Sequence, residues 1–255
     1  MDILINVVLS IFFCLYGIVI GSFLNVVILR TPLKESITLT RSHCMNCGHT
    51  LAWYDLFPLF SYLFLGGKCR YCKEHISAQY PIVEAINGAL YVVLFLMKGI
   101  SIETILYCLC ASALLALSVI DWRTKEIPVG FNIFIFILGL IRLFTDIGNW
   151  SQYVIGLFAV SGFLFLLLLI TKGRGIGGGD IKLMAATGLL LGWQLNIIAF
   201  LLGCIIGSII HLTMMAVKKV GRELAFGPYL SAGVFLAMIW GEQLVGWYLS
   251  MWATF

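Results

Sequence analysis

Residues 154–170 read VIGLFAVSGFLFLLLLI, a run of 17 residues without a charged side chain. As a helix this run is about 25 Å long, close to the roughly 30 Å hydrocarbon core of a bilayer. Similar runs recur along the 255 residues, of which 61% are hydrophobic and only 11% are charged, and the mean hydropathy is +1.04. Because soluble domains carry about 25% charged residues, this composition excludes a soluble fold. The sequence therefore predicts an all-α polytopic membrane protein.

Apolar runs bounded by charge, glycine or proline predict eight spans. They lie at residues 3–29, 80–97, 101–120, 128–145, 151–170, 181–192, 195–217 and 228–252. The sixth run has only 12 residues, or about 18 Å of helix, and is predicted to be tilted, re-entrant or buried among other helices. The chain thus divides into a first helix at 1–29, a polar insert at 30–79 and a helical membrane domain at 80–255.

The basic residues predict the orientation of these spans. With the N-terminus outside, the loops on the inner side hold 14 of the 16 Lys and Arg residues, and only Lys98 and Arg142 lie outside. Cytoplasmic loops are enriched in Lys and Arg, so both termini are expected outside and the insert at 30–79 inside. The net charge of +4 thus reflects topology, and nucleic acid is not an expected partner.

Four of the eight cysteines form two Cys-x-x-Cys pairs in the insert, Cys44 with Cys47 and Cys69 with Cys72. Two such pairs can hold one tetrahedral metal through four thiolates, which suits Zn²⁺. The alternatives are two disulfides, which a reducing cytoplasm disfavours, or four unrelated thiols. Since four sulfur ligands leave no position for a water, the predicted zinc is structural. Gly48, directly after the first pair, is expected to relieve the tight turn.

Three carboxylates, at Glu84, Asp121 and Asp180, lie within or at the edges of predicted spans, where an ionisable group is costly and indicates function. Asp121 follows the apolar run 114–120, and Asp180 follows three consecutive glycines. Both aspartates are predicted at the inner ends of their spans, at similar depth. Two carboxylates brought together from different helices can share one proton and activate a water, as in aspartic proteases.

The glycines before Asp180 strengthen this interpretation, because a backbone without side chains lets an extended peptide approach closely. The alternative for each aspartate is a helix-end or N-cap residue without catalytic function, since acidic side chains are favoured there in any case. For Glu84 the alternative is a buried carboxylate paired with a basic residue.

Several stretches together resemble one family, the bacterial type IV prepilin peptidases, including the competence-type enzymes that process pseudopilins. These stretches are residues 21–27 with Arg30 and Pro32, the two Cys-x-x-Cys pairs, 61–63 with 67–72, 80–84, 121–128, 177–183 and 226–228. The resemblance covers most of the chain and keeps the order of the family's motifs.

The resemblance implies an aspartic endopeptidase of the G-x-G-D class in the bacterial cytoplasmic membrane. Such enzymes cut the basic leader from prepilins and pseudopilins after a glycine, on the cytoplasmic side. Many members also methylate the new N-terminal amine with S-adenosylmethionine as the donor.

Carried onto this sequence, the resemblance makes Asp121 and Asp180 the catalytic pair and the four cysteines of the insert the metal ligands. Glu84 is a candidate for the methyl-donor site or for binding the basic leader. The glycines of the G-x-G-D motif are then Gly177 and Gly179, and Lys182, two residues after the motif, is a supporting residue.

Two rival functions remain open from the residues alone. In the first, the protein is a transporter or channel in which Asp121 and Asp180 bind a cation, which predicts ion flux and no peptide product. In the second, it is a membrane scaffold that presents the zinc insert to a cytoplasmic partner while the carboxylates only cap helices. The lack of acidic groups at the midplane of any predicted span disfavours transport.

Overall fold

The computed structural model describes residues 2–38, 41–173, 175–218 and 225–253. Within these residues the chain forms nine α-helices and two short 3₁₀ turns, and its β-structure is limited to two isolated bridges. The predicted all-α architecture is confirmed. Each of the eight predicted spans corresponds to one helix, and the additional helix, α2, lies in the polar insert.

The helices are α1 (Asp2–Leu33), α2 (Phe60–Phe64), α3 (Gln79–Lys98), α4 (Ile102–Thr124), α5 (Val129–Thr145), α6 (Trp150–Ile170), α7 (Gly178–Leu191), α8 (Trp193–Lys218) and α9 (Gly227–Ala253). Among the described residues, six helices are long and apolar enough to cross a membrane, namely α1, α3, α4, α6, α8 and α9. The apolar α5, with 17 residues, and α7, with 14, are shorter.

Helix α1 continues four residues beyond the predicted end of the first span, to Leu33, with Pro32 inside it. The charge of Arg30 was expected to end the span. Instead its guanidinium donates to the carbonyl oxygens of Ser36 and Ile37, so the charged group is satisfied by the chain that follows the helix.

The division at 1–29, 30–79 and 80–255 stays a prediction. By contacts, the chain splits into two compact units, Met1–Ile100 and Ser101–Phe255.

In the first unit, α1 packs closely along α3. A methyl group on Gly17 would lie 2.9 Å from the Cα of Gly88, which shows how near the two backbones come. Small residues permit such close approach between membrane helices, and interhelical hydrogen bonds add to it. Here the side-chain amide of Asn87 donates to the Gly17 carbonyl at 2.7 Å, and that of Asn25 donates to the Tyr80 carbonyl at 3.1 Å.

In the second unit, the short helix α7 contacts α5, α6 and α8. Nearly all of its residues from Leu183 to Leu191 are buried, so of the three predicted arrangements for the sixth span the structure shows burial among other helices. Its closest crossing is with α6, where Gly156 and Gly188 meet backbone to backbone. Asn196 of α8 secures this crossing by donating to the carbonyl oxygens of Met184 and Gly156.

Candidate active site and metal centre

Asp121 lies in the last turn of α4 and is only 4% exposed. Its Oδ2 accepts a hydrogen bond from the backbone N–H of Gly227 at 2.9 Å. Gly227 is the first residue of α9, so this N–H has no acceptor within its own helix. The positive end of the α9 dipole therefore faces the Asp121 carboxylate and stabilises its charged form.

Gly227 is a site residue that sequence reasoning did not identify by role. A Cβ atom at this position would lie 2.7 Å from Oδ2 of Asp121, so any side chain would displace the carboxylate. The Gly-Pro pair at 227–228 was noticed only as part of the family resemblance. The available signal was a proline at a helix start directly after a glycine, which marks a helix N-terminus with free N–H groups.

Asp180 lies in the first turn of α7 and is partly buried. Gly177, the N-cap residue of α7, lies beside its carboxylate. An acidic side chain in the first turn is favoured by the helix dipole, so this position fits the helix-end interpretation as well as a catalytic one. A Cβ on Gly177 would lie 3.1 Å from Oδ2 of Asp180, so the glycine leaves this carboxylate room on the side where the chain enters α7.

The second glycine of the motif, Gly179, brings the two aspartate-bearing segments together. Gly179 lies against the side chain of Ile127. A Cβ atom added at position 179 would be 3.0 Å from the Cβ of Ile127. Ile127 lies three residues after the end of α4 at Thr124, and the C-cap residue Lys125 has a left-handed backbone with φ of 55°. The tight chain reversal after Asp121 thus packs against the start of α7, next to Asp180.

The two aspartates interact electrostatically. Burial, and then the charge of Asp121, raise the pKa of Asp180 to about 6, although the Gly177 hydrogen bond acts in the opposite direction. A carboxylate with a pKa near 6 holds its proton in mildly acidic solution while a neighbouring one is charged. One carboxylate of such a pair can therefore be protonated while the other is charged, and a water-activating dyad requires this protonation state.

Two further polar residues lie on the helices α7 and α5. Lys182 is exposed, and among the described residues nothing links its ammonium group to either aspartate. Asn132 of α5 is 5% exposed, and neither its amide nitrogen nor its oxygen has a hydrogen-bond partner in the described part of the chain. Further along α5, Gly139 packs against Leu189 of α7. The sequence reasoning missed Asn132 because a lone Asn in an apolar run carries no motif.

The four cysteines of the insert converge on one point. Their Sγ atoms all lie within 4.8 Å of one another, and those of Cys44 and Cys72 are 3.8 Å apart. A tetrahedral site with Zn–S bonds of about 2.3 Å needs sulfur atoms about 3.8 Å apart. All four thiols are free and lie close enough together to share one metal ion.

Each cysteine pair sits in a small turn of the same design. The N–H of Cys44 donates to the His49 carbonyl, and the N–H of Cys69 donates to the Glu74 carbonyl. The residue directly after each pair has a left-handed backbone, with φ of 70° at Gly48 and 61° at Lys73. Gly48 adopts this conformation without steric cost, as expected from the sequence, whereas Lys73 does so against the usual preference of a side-chain-bearing residue.

Glu84 lies in the second turn of α3 and is 6% exposed. Its Oε2 accepts the backbone N–H of Leu59 at 2.8 Å, and this donor is not a basic side chain. Leu59 has a φ of 58°, so the carboxylate holds a strained residue of the insert against α3.

Comparisons with known proteins fit this arrangement. Residues 15–98 match the Bacterial Peptidase A24 N-terminal domain, and residues 108–212 match the Type IV leader peptidase family. The prepilin leader peptidase/N-methyltransferase of Bacillus subtilis (strain 168) is 35% identical over 248 residues, covering 95% of this chain and 98% of that protein. The proteins of that name from Aeromonas salmonicida (strain A449) and Pseudomonas putida are 32% and 30% identical, with 92% and 89% of each chain covered. No solved structure matches the chain significantly. The resemblance inferred from the motifs is confirmed, and the chain belongs to the type IV leader peptidase family.

Proposed function

We propose that this protein is a membrane-embedded aspartic endopeptidase that removes the basic leader from type IV prepilins and pseudopilins. The observation that carries the proposal is the coupled pair Asp121 and Asp180, presented by α4 and α7 and bounded by glycines. The names of the relatives, each a prepilin leader peptidase/N-methyltransferase, support the same substrate class. Among the described residues nothing favours the transporter or scaffold alternatives over this assignment.

In this mechanism the apolar helix of the substrate lies in the bilayer and its scissile bond reaches the aspartates. Asp121, whose charge the Gly227 N–H stabilises, takes a proton from the attacking water. The water oxygen bonds to the carbonyl carbon, and Asp180 gives its proton to the leaving amine as the C–N bond breaks. The dyad is then again singly protonated, with the proton on Asp121, and its transfer to Asp180 restores the starting state. The second water proton stays on the new carboxyl group of the leader and is released from there.

The direct test of this proposal is mass spectrometry of a prepilin-like peptide incubated with the purified protein in detergent. The expected product is shortened by the basic leader, with cleavage after a glycine. An intact peptide, with the protein folded and its metal bound, would overturn the peptidase assignment and favour the scaffold or transport alternatives.

The activity is expected to depend on pH through the dyad. Because the pKa of Asp180 is raised to about 6, the acid that protonates the leaving amine is lost as pH rises through this value, and kcat/KM should fall. At lower pH both carboxylates become protonated, no base remains, and the rate should fall again. A profile of kcat/KM that stays flat between about pH 4 and about pH 8 would contradict a shared proton.

We propose that the cysteine centre binds one structural Zn²⁺ through Cys44, Cys47, Cys69 and Cys72. The sulfur spacing fits this ion, and bound zinc would stabilise the insert without taking part in cleavage chemistry. Cys44→Ser is expected to lower the metal content from about one zinc per chain to near zero, measured by inductively coupled plasma mass spectrometry. The control is Cys204→Ser in α8, which should keep its metal. Zinc at wild-type levels in the Cys44 variant would contradict the proposal that Cys44 is a zinc ligand.

We further propose that the protein methylates the new N-terminus, with S-adenosylmethionine as the methyl donor, as the names of its relatives suggest. When bound, this cofactor would supply the methyl group for the amine. Glu84 fits such a site in one respect, since a buried carboxylate attracts the positive sulfonium of the donor. The residue remains a candidate for the donor site or for binding the basic leader.

Glu84→Gln separates these roles from a structural one. Glutamine keeps an oxygen that accepts the Leu59 N–H, so the insert should stay in place. We expect cleavage to persist while the methylated fraction of the product falls about tenfold or more. Both quantities are read from one mass spectrum of the product, and unchanged methylation together with unchanged cleavage would exclude Glu84 from either site.

We propose the bacterial cytoplasmic membrane as the location, with both termini outside and the zinc insert in the cytoplasm. The lipid bilayer is then a permanent partner, and the positive-inside rule supports this orientation. Of the basic residues that support it, Arg174, Lys219 and Arg222 lie outside the described residues.

A further inference from the structure

The insert exposes an aromatic surface made of Trp53, Phe57, Phe60, Leu63 and Phe64. Phe64 is 87% exposed and Trp53 78%, values unusual for side chains of this size. The surface borders an open, mainly apolar groove of about 400 Å³ with Arg70 at its rim. Apolar patches of this kind on a water-exposed domain indicate a surface that is covered in the working protein.

A hydrogen bond sets the level of this surface relative to the membrane. The Leu59 N–H donates to Glu84, the sixth residue of α3, which is a membrane-spanning helix. Glu84 is about 7.5 Å along the helix from its first residue, because each residue rises 1.5 Å. Helix α2 begins at Phe60, directly after Leu59, so the aromatic surface starts next to the first turns of a membrane-spanning helix. Lipid headgroups lie at the ends of such helices.

The connections of the insert hold it at that depth. It follows α1 and precedes α3, so both of its ends are anchored to membrane-spanning helices. Residues 34–78 also hold five Lys and Arg against three Asp and Glu, an excess that anionic headgroups attract. The aromatic residues add to this, since tryptophan and tyrosine favour the interface between headgroups and acyl chains.

We propose that the aromatic surface is seated in the headgroup region of the leaflet on the insert's side, with acyl chains against Phe60 and Phe64. The insert is then a monotopic membrane element in addition to being a metal-binding loop. The proposal goes beyond the peptidase assignment and does not depend on it.

The experiment replaces single residues of the full-length protein by the photocrosslinking amino acid p-benzoylphenylalanine. The protein is placed in nanodiscs of phosphatidylethanolamine and phosphatidylglycerol, irradiated and analysed by mass spectrometry. Position 64 tests the proposal. Phe12, which is 65% exposed on α1, is the lipid-facing control, and Met45, which is 80% exposed within the first cysteine turn, is the matched exposed apolar control.

The expected lipid adduct at position 64 is within about twofold of that at position 12 and about tenfold above that at position 45. Lipid labelling at 12 but not at 64 would overturn the proposal, and so would equal labelling at 45 and 64. An adduct at 64 with a second copy of the protein, or with an added prepilin peptide, would assign the surface to that occupant instead. Unchanged metal content in all three variants shows that the insert is intact.

Discussion

Replacing Asp121 or Asp180 by asparagine is expected to lower the rate of leader cleavage by about a hundredfold to ten-thousandfold, with little effect on stability. Asparagine has nearly the shape of aspartate and keeps an oxygen that can accept the Gly227 or Gly177 N–H. What it loses is the ability to take or give a proton. Either single change leaves one carboxylate, which can act as acid or as base but not as both in one turnover.

The measurement is the appearance of the shortened peptide over time, with thermal unfolding in the same detergent to show that each variant is folded. Glu126→Gln is the matched control, because this carboxylate lies in the loop directly after α4 and is exposed. It should cleave at the wild-type rate. Turnover near the wild-type rate by either aspartate variant would contradict the dyad and leave the helix-capping interpretation.

The second large effect is expected for Gly156→Ala, at the crossing of α6 and α7. A Cβ atom at Gly156 would collide with the carbonyl group of Gly188 and lie 2.8 Å from the carbonyl carbon of Gly192. Because these are backbone atoms, the two helices must separate, and the hydrogen bonds from Asn196 to both helices are lost with the contact. Overpacking of this kind costs about 1–3 kcal/mol and occasionally more. Since α7 carries Asp180, cleavage should fall as well.

Gly162→Ala on the same helix is the control for this prediction. A Cβ at Gly162 meets nothing within 4 Å, and alanine is a better helix former than glycine by about 0.5–1 kcal/mol. The two substitutions are therefore expected to shift the melting temperature in opposite directions, down for Gly156 and up or unchanged for Gly162. Equal melting temperatures for the two variants would show that the crossing is not as close as the structure has it.

Several parts of this protein were predictable from the sequence because they depend on composition and spacing. Apolar runs such as 154–170 identify helices, since a backbone in lipid must satisfy its own hydrogen bonds. The Cys44 and Cys69 pairs predicted a four-sulfur centre, because ligand type and spacing are local properties. The G-x-G-D motif at 177–180 carried the resemblance to the family, which the comparisons confirm.

Helix ends were harder to predict, because they depend on contacts made elsewhere in the chain. The first span was expected to end before Arg30, yet the helix continues to Leu33 because backbone carbonyls beyond it accept the guanidinium. The sixth span was predicted to start at 181, whereas α7 starts at Gly178 and includes Asp180 in its first turn. In both cases the helix includes a charged residue that was expected to lie outside it.

The sequence by itself determined that the chain is a helical membrane protein, which cysteines can share a metal and which aspartates merit attention. Only the tertiary structure decided that α7 is buried among other helices, that Asp121 meets the N-terminus of α9 at Gly227, and that the charge of Asp121 reaches Asp180. The reason is that composition and spacing act within one segment. The influence of one carboxylate on the protonation of another depends on burial and on the distance between segments far apart in the chain, and these exist only after the helices have packed.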